Sequence, residues 1–80
     1  MEVSVRTKYN TGDTVYIIDH IYDYYAHHKP YIIKDVLIDI NSRRTRIQYE
    51  VEQGYTTYRV PEEWTFSTYA ECAKWCDEHN

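Results

Sequence analysis

The segment Asp35–Val60 constrains the fold of this chain more than any other part of it. Three runs rich in β-branched and aromatic residues follow one another there, at 35–40, 45–52 and 55–60. In the middle run Ile47, Tyr49 and Val51 alternate with charged and polar residues, which is typical of a strand with one buried and one wet face. The segment predicts a three-stranded antiparallel meander, and the other elements are placed by asking what covers its apolar face.

Two strands are predicted to flank an irregular loop before the meander. The sequence around Gly12-Asp13 is typical of a tight turn, because glycine supplies the positive φ that such turns require. A strand covered partly on both faces is expected at 14–19, followed by a long hairpin-like loop at 20–30. The next strand runs from about 31 to 40, and a change in the phase of its apolar residues indicates a bulge near Lys34-Asp35.

The C-terminal segment 68–79 is predicted to be a helix. Thr68 and Glu71 have the spacing of a capping box. Cys72 and Cys76 belong to a narrow apolar stripe that is expected to lie on the sheet. The strand residues expected as core beneath this helix and Trp64 are Val36, Ile38, Ile40, Ile47, Tyr49, Val51, Tyr58 and Val60. Residues 1–8 are compatible with a short edge strand or a frayed arm.

Size and composition bound the class of protein. Eighty residues form one domain, 1–80, whose small core depends on large side chains, and ten Tyr, two Trp and one Phe supply them. The formal net charge of −4 disfavours duplex nucleic acid as a partner. No apolar run is long enough for a membrane span and the first residues lack a signal-peptide core, so a cytoplasmic location is expected.

The sequence provides no persuasive catalytic constellation. His27-His28 beside Asp23 could exchange protons near neutral pH, but no nucleophile, phosphate-binding loop or walled pocket is indicated, so the protein is expected not to be an enzyme. Cys72, Cys76 and His79 share one helix face, and a histidine from the loop would complete a zinc site. Burial of both cysteines as small apolar residues is the favoured interpretation, so neither a metal nor another cofactor is predicted.

Tyrosine is the best functional hint in the chain. Ten tyrosines exceed what an eighty-residue core hides, so several of Tyr22, Tyr24, Tyr25, Tyr31 and Tyr55 should be exposed. Exposed Tyr among carboxylates is typical of protein-recognition surfaces, although Tyr is also an ordinary strand residue. The expected protein-binding residues are Tyr22, Asp23, Tyr24, Tyr25, Glu50, Glu52, Glu62 and Glu63.

A concentration of arginine favours a second function. Three of the nine basic residues lie in the turn between the first two meander strands. Together with nearby tyrosines they would bind single-stranded nucleic acid or a nucleotide by charge and stacking, unless this turn is simply a solvated hairpin tip. The residues of this alternative are Arg43, Arg44, Arg46, Tyr31 and Tyr55.

Two stretches resemble known families. The run 12–16, Gly-Asp-Thr-Val-Tyr, followed by a long loop, a meander and a short helix, resembles the SH3-like small barrels. The run 60–73 is similar to the closing segment of short bacteriophage and mobile-element proteins. The first resemblance implies a mainly β fold, an antiparallel barrel of about five strands over 3–61 with one C-terminal helix.

The second resemblance implies an accessory protein that binds a host macromolecule. Inhibitors of bacterial immunity, including anti-CRISPR proteins, have this size and acidity. The expected partner is a basic, nucleic-acid-handling or defence protein of the host, inhibited through an acidic, Tyr-rich surface. A homodimer is also compatible with the sequence, because the strand at 55–60 has only Arg59 as a charge that guards its edge.

Overall fold

The computed structural model describes residues 6–41 and 43–80, and it is mainly antiparallel β-sheet with one C-terminal helix, as predicted. The elements are β1 (Thr14–His20), β2 (Tyr24–Ala26), β3 (Tyr31–Ile40), β4 (Thr45–Gln53), β5 (Thr56–Pro61), β6 (Thr65–Phe66) and α1 (Tyr69–His79), with a 3₁₀ turn at Glu62–Trp64 between β5 and β6. The edge strand or arm considered for 1–8 lies largely outside the described residues, and 6–8 are not a strand. No described helix is long and apolar enough to cross a membrane.

The predicted meander is confirmed. The sheet has the order β2-β1-β3-β4-β5, and β6 pairs with β1. Side chains of β4 alternate as expected, with Tyr49 and Val51 buried. The register between β3 and β4 shifts between Ile33 and Asp35, which confirms the bulge. Because of this extra residue, Ile33 and Val36 both lie on the side of the sheet that carries Tyr49 and Val51.

Closure into an SH3-like barrel stays a prediction. In the described part of the chain β5 pairs only with β4, and no ladder joins it to β1. The return to β1 is made instead by β6, whose two residues pair with Tyr16 and Ile17. The sheet is therefore curved back toward its first strand but open between β1 and β5.

Strand β1 separates two apolar clusters. On one side Val15 and Ile17 pack with Tyr31, Ile33, Tyr49, Val51 and Val60. On the other side Ile18 packs with Ala26, Cys72 and Cys76, and this second cluster is completed by Tyr24, Trp64, Phe66 and Trp75. The prediction that β1 is covered on both faces is confirmed, because its successive side chains enter different clusters.

The position predicted for the helix was wrong. The contacts of α1 are with β1, β2 and β6, so it covers the side of β1 that carries Ile18 and not the meander. Three residues expected beneath it are exposed: Ile38, Ile40 and Tyr58. Strand β5 pairs with β4 only between Gln48 and Gln53. The outer halves of β3 and β4 extend beyond the end of β5, so no described strand or helix covers them.

Two boundaries also differ from prediction. The segment 20–30 is not an irregular loop throughout, because β2 forms a hairpin with β1 through the pairs Ile18–Ala26 and His20–Tyr24. The turn between β4 and β5 consists of Gly54 and Tyr55, since Gln53 still pairs with Thr56. Gly54 has φ of +60°, a conformation that costs glycine little.

The start of α1 confirms the Thr68 half of the capping box. The Thr68 hydroxyl accepts a hydrogen bond from the Glu71 amide at 3.2 Å, which satisfies a backbone donor that the first helical turn leaves unpaired. Of the predicted stripe, Cys72 and Cys76 are buried against the sheet. The helix is thereby fixed at its first turn and along one face.

Candidate protein-binding surface

The tip of the β1–β2 hairpin carries the most exposed pair of adjacent large side chains. Ile21 is 67% exposed and Tyr22 is 92% exposed. Both precede Asp23, which is also exposed, in the turn between the two strands. Burial of an exposed isoleucine and tyrosine beneath a partner removes apolar surface from water and so stabilises the complex. Tyr22 and Asp23 were predicted as binding residues, whereas Ile21 was not.

The base of this hairpin is held by aromatic contacts of Tyr24. The Tyr24 ring stacks on His20 with the centroids 4.4 Å apart, and it meets Trp64 and Trp75 edge-on at 5.9 and 4.9 Å. Tyr24 is therefore a half-buried anchor of the hairpin and does not belong to its exposed tyrosines. Strand β2 has only three residues, so these aromatic contacts hold it where its own ladder is too short to do so.

The end of α1 holds the same strand through a pair of hydrogen bonds. The Asn80 side chain accepts from the Tyr24 amide and donates to the Tyr24 carbonyl, each at 2.7 Å. A side-chain amide presents a donor and an acceptor side by side, so it pairs with a strand residue as another strand would. This Asn80 clamp fixes the hairpin against the helix and leaves its tip free.

A polar cluster around Asp19 lies beside the hairpin and was missed by the sequence analysis. The two Asp19 carboxylate oxygens accept from the His20 amide at 2.8 Å and the Tyr25 hydroxyl at 3.1 Å, and His27 Nε2 lies 3.2 Å away. Partial burial raises the pKa of Asp19, but these three partners outweigh it and hold the pKa below its ordinary value. The Asp19 bond in turn raises the pKa of Tyr25. The carboxylate is thus charged at neutral pH.

Two clefts adjoin this cluster. A groove of about 330 Å³ runs between β2 and α1, where Tyr25, His28, Tyr69 and Asp77 contribute to the lining. A narrower cleft of about 150 Å³ occupies the opening between β1 and β5. Its lining residues are Ile17, Ile18, Asp19, His27, Tyr58, Arg59, Val60, Pro61 and Trp64. Both clefts open next to the hairpin, which extends the surface available to a partner.

The predicted acidic residues do not form one patch with the hairpin. Glu50 and Glu52 lie on the outer face of β4, where Glu50 is 3.9 Å from the Lys34 ammonium and opposite Arg59. Glu62 has an internal role, because its carboxylate accepts from the Tyr49 hydroxyl at 2.5 Å and the Lys8 amide at 3.1 Å. Glu52 and Glu63 have no ion pair or side-chain hydrogen bond in the described part of the chain. Basic side chains or structural bonds therefore offset the charge of Glu50 and Glu62, two of these four residues.

Arg43, Arg44 and Arg46 do not lie close to the tyrosines that were predicted to act with them. Arg44 and Arg46 line a groove of about 370 Å³ together with Glu62 and Glu63, while Arg43 is exposed at the tip. Of the tyrosines among which several were predicted to be exposed, Tyr22, Tyr25 and Tyr55 are exposed. Tyr31 is 3% exposed, because it pairs with Val15 and packs in the first cluster, so its ring does not reach the arginines. Tyr55 is fully exposed, but in the turn at the other end of β4, about 20 Å along the strand from Arg46.

The two cysteines belong to the core. Cys72 is completely buried, and burial raises the pKa of its thiol to about 12. Cys76 is buried beside it, while His79 stacks on the Trp75 ring at 3.8 Å with Nδ1 2.8 Å from the Trp75 carbonyl oxygen. No group of three or more metal-ligating residues occurs among residues 6–41 and 43–80. The proximity of Cys72 and Cys76 is explained by packing of the helix.

Comparison of the chain with protein-family models, with curated proteins and with solved structures finds no match in any of the three. The geometry of the hairpin, the two clefts and the Asp19 cluster therefore carries the functional argument.

Proposed function

We propose that this protein is a non-catalytic protein-binding module whose recognition surface is the β1–β2 hairpin. The observation that carries the proposal is the contrast within this hairpin: Ile21 and Tyr22 are 67% and 92% exposed, while Tyr24 two residues later is held between Trp64 and Trp75. In many protein–protein interfaces a few apolar or aromatic side chains, held in place before binding, enter a pocket of the partner and supply most of the binding free energy.

The rigid base lowers the entropic cost of binding. Two hydrogen bonds from Asn80 and the aromatic contacts of Tyr24 already order the hairpin in the free protein. Only the side chains of the tip then lose freedom in a complex, and Tyr has few rotatable bonds to restrict. The contact area of Tyr22 is accordingly available at little loss of conformational entropy.

The charges around the hairpin favour a basic partner. Asp23 lies in its turn, Asp19 at its base and Asp77 in the groove beside it. We propose that the partner presents an apolar pocket with basic side chains at its rim. A nucleic-acid-handling or defence protein of a host, inhibited by a bacteriophage or mobile-element accessory protein, fits this description and the resemblance of the closing segment.

Capture with matched variants tests the proposal. The wild-type chain and the double substitution Ile21→Ser/Tyr22→Ser are immobilised and exposed to host extract, and captured proteins are identified by mass spectrometry. Tyr55→Ser is the control, because Tyr55 is equally exposed but lies in the β4–β5 turn. We expect one specific partner to be retained by the wild type and the control and lost with the double variant.

Dissociation constants measured with the purified partner then give the size of the effect. Removing a central apolar anchor costs about 2 kcal/mol or more, so the dissociation constant should rise at least about 30-fold in the double variant and hardly change for Tyr55→Ser. Equal affinity of all three chains would refute the hairpin as the recognition surface.

Binding of single-stranded nucleic acid remains the alternative. Its arginines share their groove with Glu62 and Glu63, whose carboxylates repel phosphate, and its tyrosines lie elsewhere. Titration of short labelled DNA and RNA at two salt concentrations separates the two functions. Absence of binding at low salt removes the alternative, whereas binding that weakens with salt and with Arg44→Ala would favour it.

We also propose that the fold is an open relative of the SH3-like barrels. What supports this is the order of the elements: a first strand, a hairpin, a three-stranded meander, and a short β6 that returns to β1. Hydrogen exchange of the β5 amides that face β1 tests the open form: rapid exchange is expected, and strong protection would indicate a closed barrel instead.

A further inference from the structure

The outer half of β3 combines an unpaired backbone edge with an apolar face. Beyond the bonds of Gly12 and Asp13 to Ile33, the edge of β3 that faces β1 has no strand partner among residues 6–41 and 43–80. On the same strand Ile38 is 45% exposed and Ile40 is 51% exposed, and Ile47 of β4 lies directly opposite Ile38. A long edge with an apolar face is a template for another strand.

The direction of the backbone groups follows from the register. The amide and carbonyl of Ile33 point toward β1, because they bond to Asp13 and Gly12 at 2.9 and 2.8 Å. In the pairing with β4, Ile33, Val36, Ile38 and Ile40 face Val51, Tyr49, Ile47 and Thr45, which are every second residue of β4. Backbone groups alternate between the two edges of a strand, so Val36, Ile38 and Ile40 present theirs on the open edge.

We propose that this edge pairs with the same edge of a second copy, as an antiparallel β3–β3 ladder centred on Ile38. In this register Ile38 faces Ile38 of the other copy, and Val36 faces Ile40. The Ile38 and Ile40 amides form the ladder, while the Val36 amide must first leave the Asp35 carboxylate, which accepts from it at 2.9 Å. The two sheets become continuous, and the side chains of Ile38 and Ile47 from both copies lie on one face.

Charge selects this register over its neighbours. A ladder centred on Leu37 places Asp35 opposite Asp39 of the other copy, and one centred on Asp39 places the two Asp39 carboxylates opposite each other. Like charges directly opposite on a sheet are destabilising. In the ladder centred on Ile38, Asp39 faces Leu37 of the other copy and Asp35 faces Asn41, so no carboxylate faces another. The apolar pattern and the charges therefore agree on one arrangement.

The dimer is independent of the hairpin function. Strand β1 runs antiparallel to β3 with Val15 opposite Tyr31, so the β1–β2 turn and Ile40 lie at opposite ends of the sheet. Two recognition hairpins would then point away from each other at the two ends of the dimer.

Sedimentation equilibrium over a range of micromolar to millimolar concentrations tests the proposal. We expect the wild-type mass to rise from 9.7 kDa toward twice that value with concentration. Ile38→Lys places a charge on each copy at the centre of the ladder and should weaken association at least about 10-fold. The matched control is Ile32→Lys, because Ile32 is 50% exposed on the same strand but lies on the opposite face, and it should associate as the wild type does.

A third variant tests the register. Leu37→Lys sets a lysine opposite Asp39 of the other copy and should strengthen the dimer, whereas in a ladder centred on Leu37 it would set two lysines against each other. If Leu37→Lys weakens association, the register centred on Ile38 is wrong. If Ile38→Lys and Ile32→Lys change the dissociation constant of the dimer equally, β3 is not the interface. A wild-type chain that is monomeric at every concentration overturns the proposal, and protection of its Ile38 and Ile40 amides would assign the edge to another segment of the chain.

Discussion

Asp19 is the residue whose position matters most for the candidate surface. It continues the face of β1 that carries Val15 and Ile17, but it lies where that face reaches the open end of the first cluster. A carboxylate there keeps access to water and gathers Tyr25 and His27 around it. The alternation of β1 places Asp19 on this face, yet only the pairing of β2 with β1, which the sequence does not reveal, brings its partners within reach.

Removal of the Asp19 carboxylate should change the pKa of Tyr25. The hydrogen bond to Asp19, with a contribution from its negative charge, disfavours ionisation of the Tyr25 hydroxyl and raises its pKa. In Asp19→Ala we therefore expect the pKa of Tyr25 to fall toward 10, the value of an unperturbed tyrosine. Titration followed by carbon NMR of the labelled tyrosine rings measures it. Asp23→Ala removes a carboxylate of the same hairpin and should leave the Tyr25 pKa as it is; a shift there and none in Asp19→Ala would contradict the assignment.

At the scale of elements, the Asn80 clamp connects the end of α1 to β2. Its two bonds replace those of a neighbouring strand, so the clamp should control local opening of the hairpin. Loss of a bond worth about 1.4 kcal/mol increases exchange through local opening about tenfold.

The Tyr24 amide gives the readout by hydrogen exchange. In Asn80→Ala we expect it to exchange about 10-fold faster, while the Val51 amide in the meander keeps its rate. In Asn80→Asp the acceptor for this amide remains and only the bond to the Tyr24 carbonyl is lost, so the effect on exchange should be smaller. An unchanged Tyr24 rate in Asn80→Ala would mean that the aromatic contacts alone hold β2.

The elements differ in how far sequence predicts them, for physical reasons. Strands β3 and β4 are long enough for alternation to identify both their limits and their buried side. Strand β2 has three residues, too few for any period, so it reads as a loop. The stripe on α1 predicts which face of the helix is buried but not which side of the sheet receives it. Because β1 is apolar on both faces, that choice depends on tertiary packing.

At the scale of the whole molecule, each of the two clusters contains a group that loses a proton only at high pH. Burial, together with the bond to Glu62, raises the pKa of Tyr49 to about 12, and burial raises that of Cys72 to about 12. In an unfolded chain these groups ionise near pH 10 and 8.5. Folding thus favours their protonated forms, and the stability this provides is complete below about pH 8.5.

Stability should therefore fall as the pH rises from about 8.5 to 12, by up to about 1.4 kcal/mol per pH unit for each group that titrates. Urea unfolding at a series of pH values measures it. In Cys72→Ala/Cys76→Ala the thiols are absent and Tyr49 remains, so the decline should begin about 1.5 pH units higher, near pH 10. The same onset in both chains would show that the thiols do not contribute.

The openness of the sheet is the whole-molecule property that the sequence predicts least. The meander is readable from its alternation, but the short strand β6 is not, and whether β5 reaches β1 depends on the curvature of the sheet and on where the 3₁₀ turn directs the chain. Neither leaves a pattern in the spacing of residues. The candidate surface shares this limit, since Tyr22 was predictable as an exposed residue of 20–30, while its rigid support comes from residues more than forty positions away.

The bulge in β3 makes one residue of this strand supernumerary. Ile33 pairs with Val51 and Asp35 with Glu50, so the backbone of Lys34 has no pairing position of its own in the β3–β4 ladder. Deleting Lys34 should leave every other side chain of β3 on its present side and merely straighten the ladder, whereas deleting Val36 transfers Leu37, Ile38 and the residues beyond to the opposite sides. We expect the chain lacking Lys34 to give an amide spectrum close to that of the full chain. The strand should thus tolerate the loss of one residue at this position, because the remaining side chains keep their assignment to the buried and exposed faces.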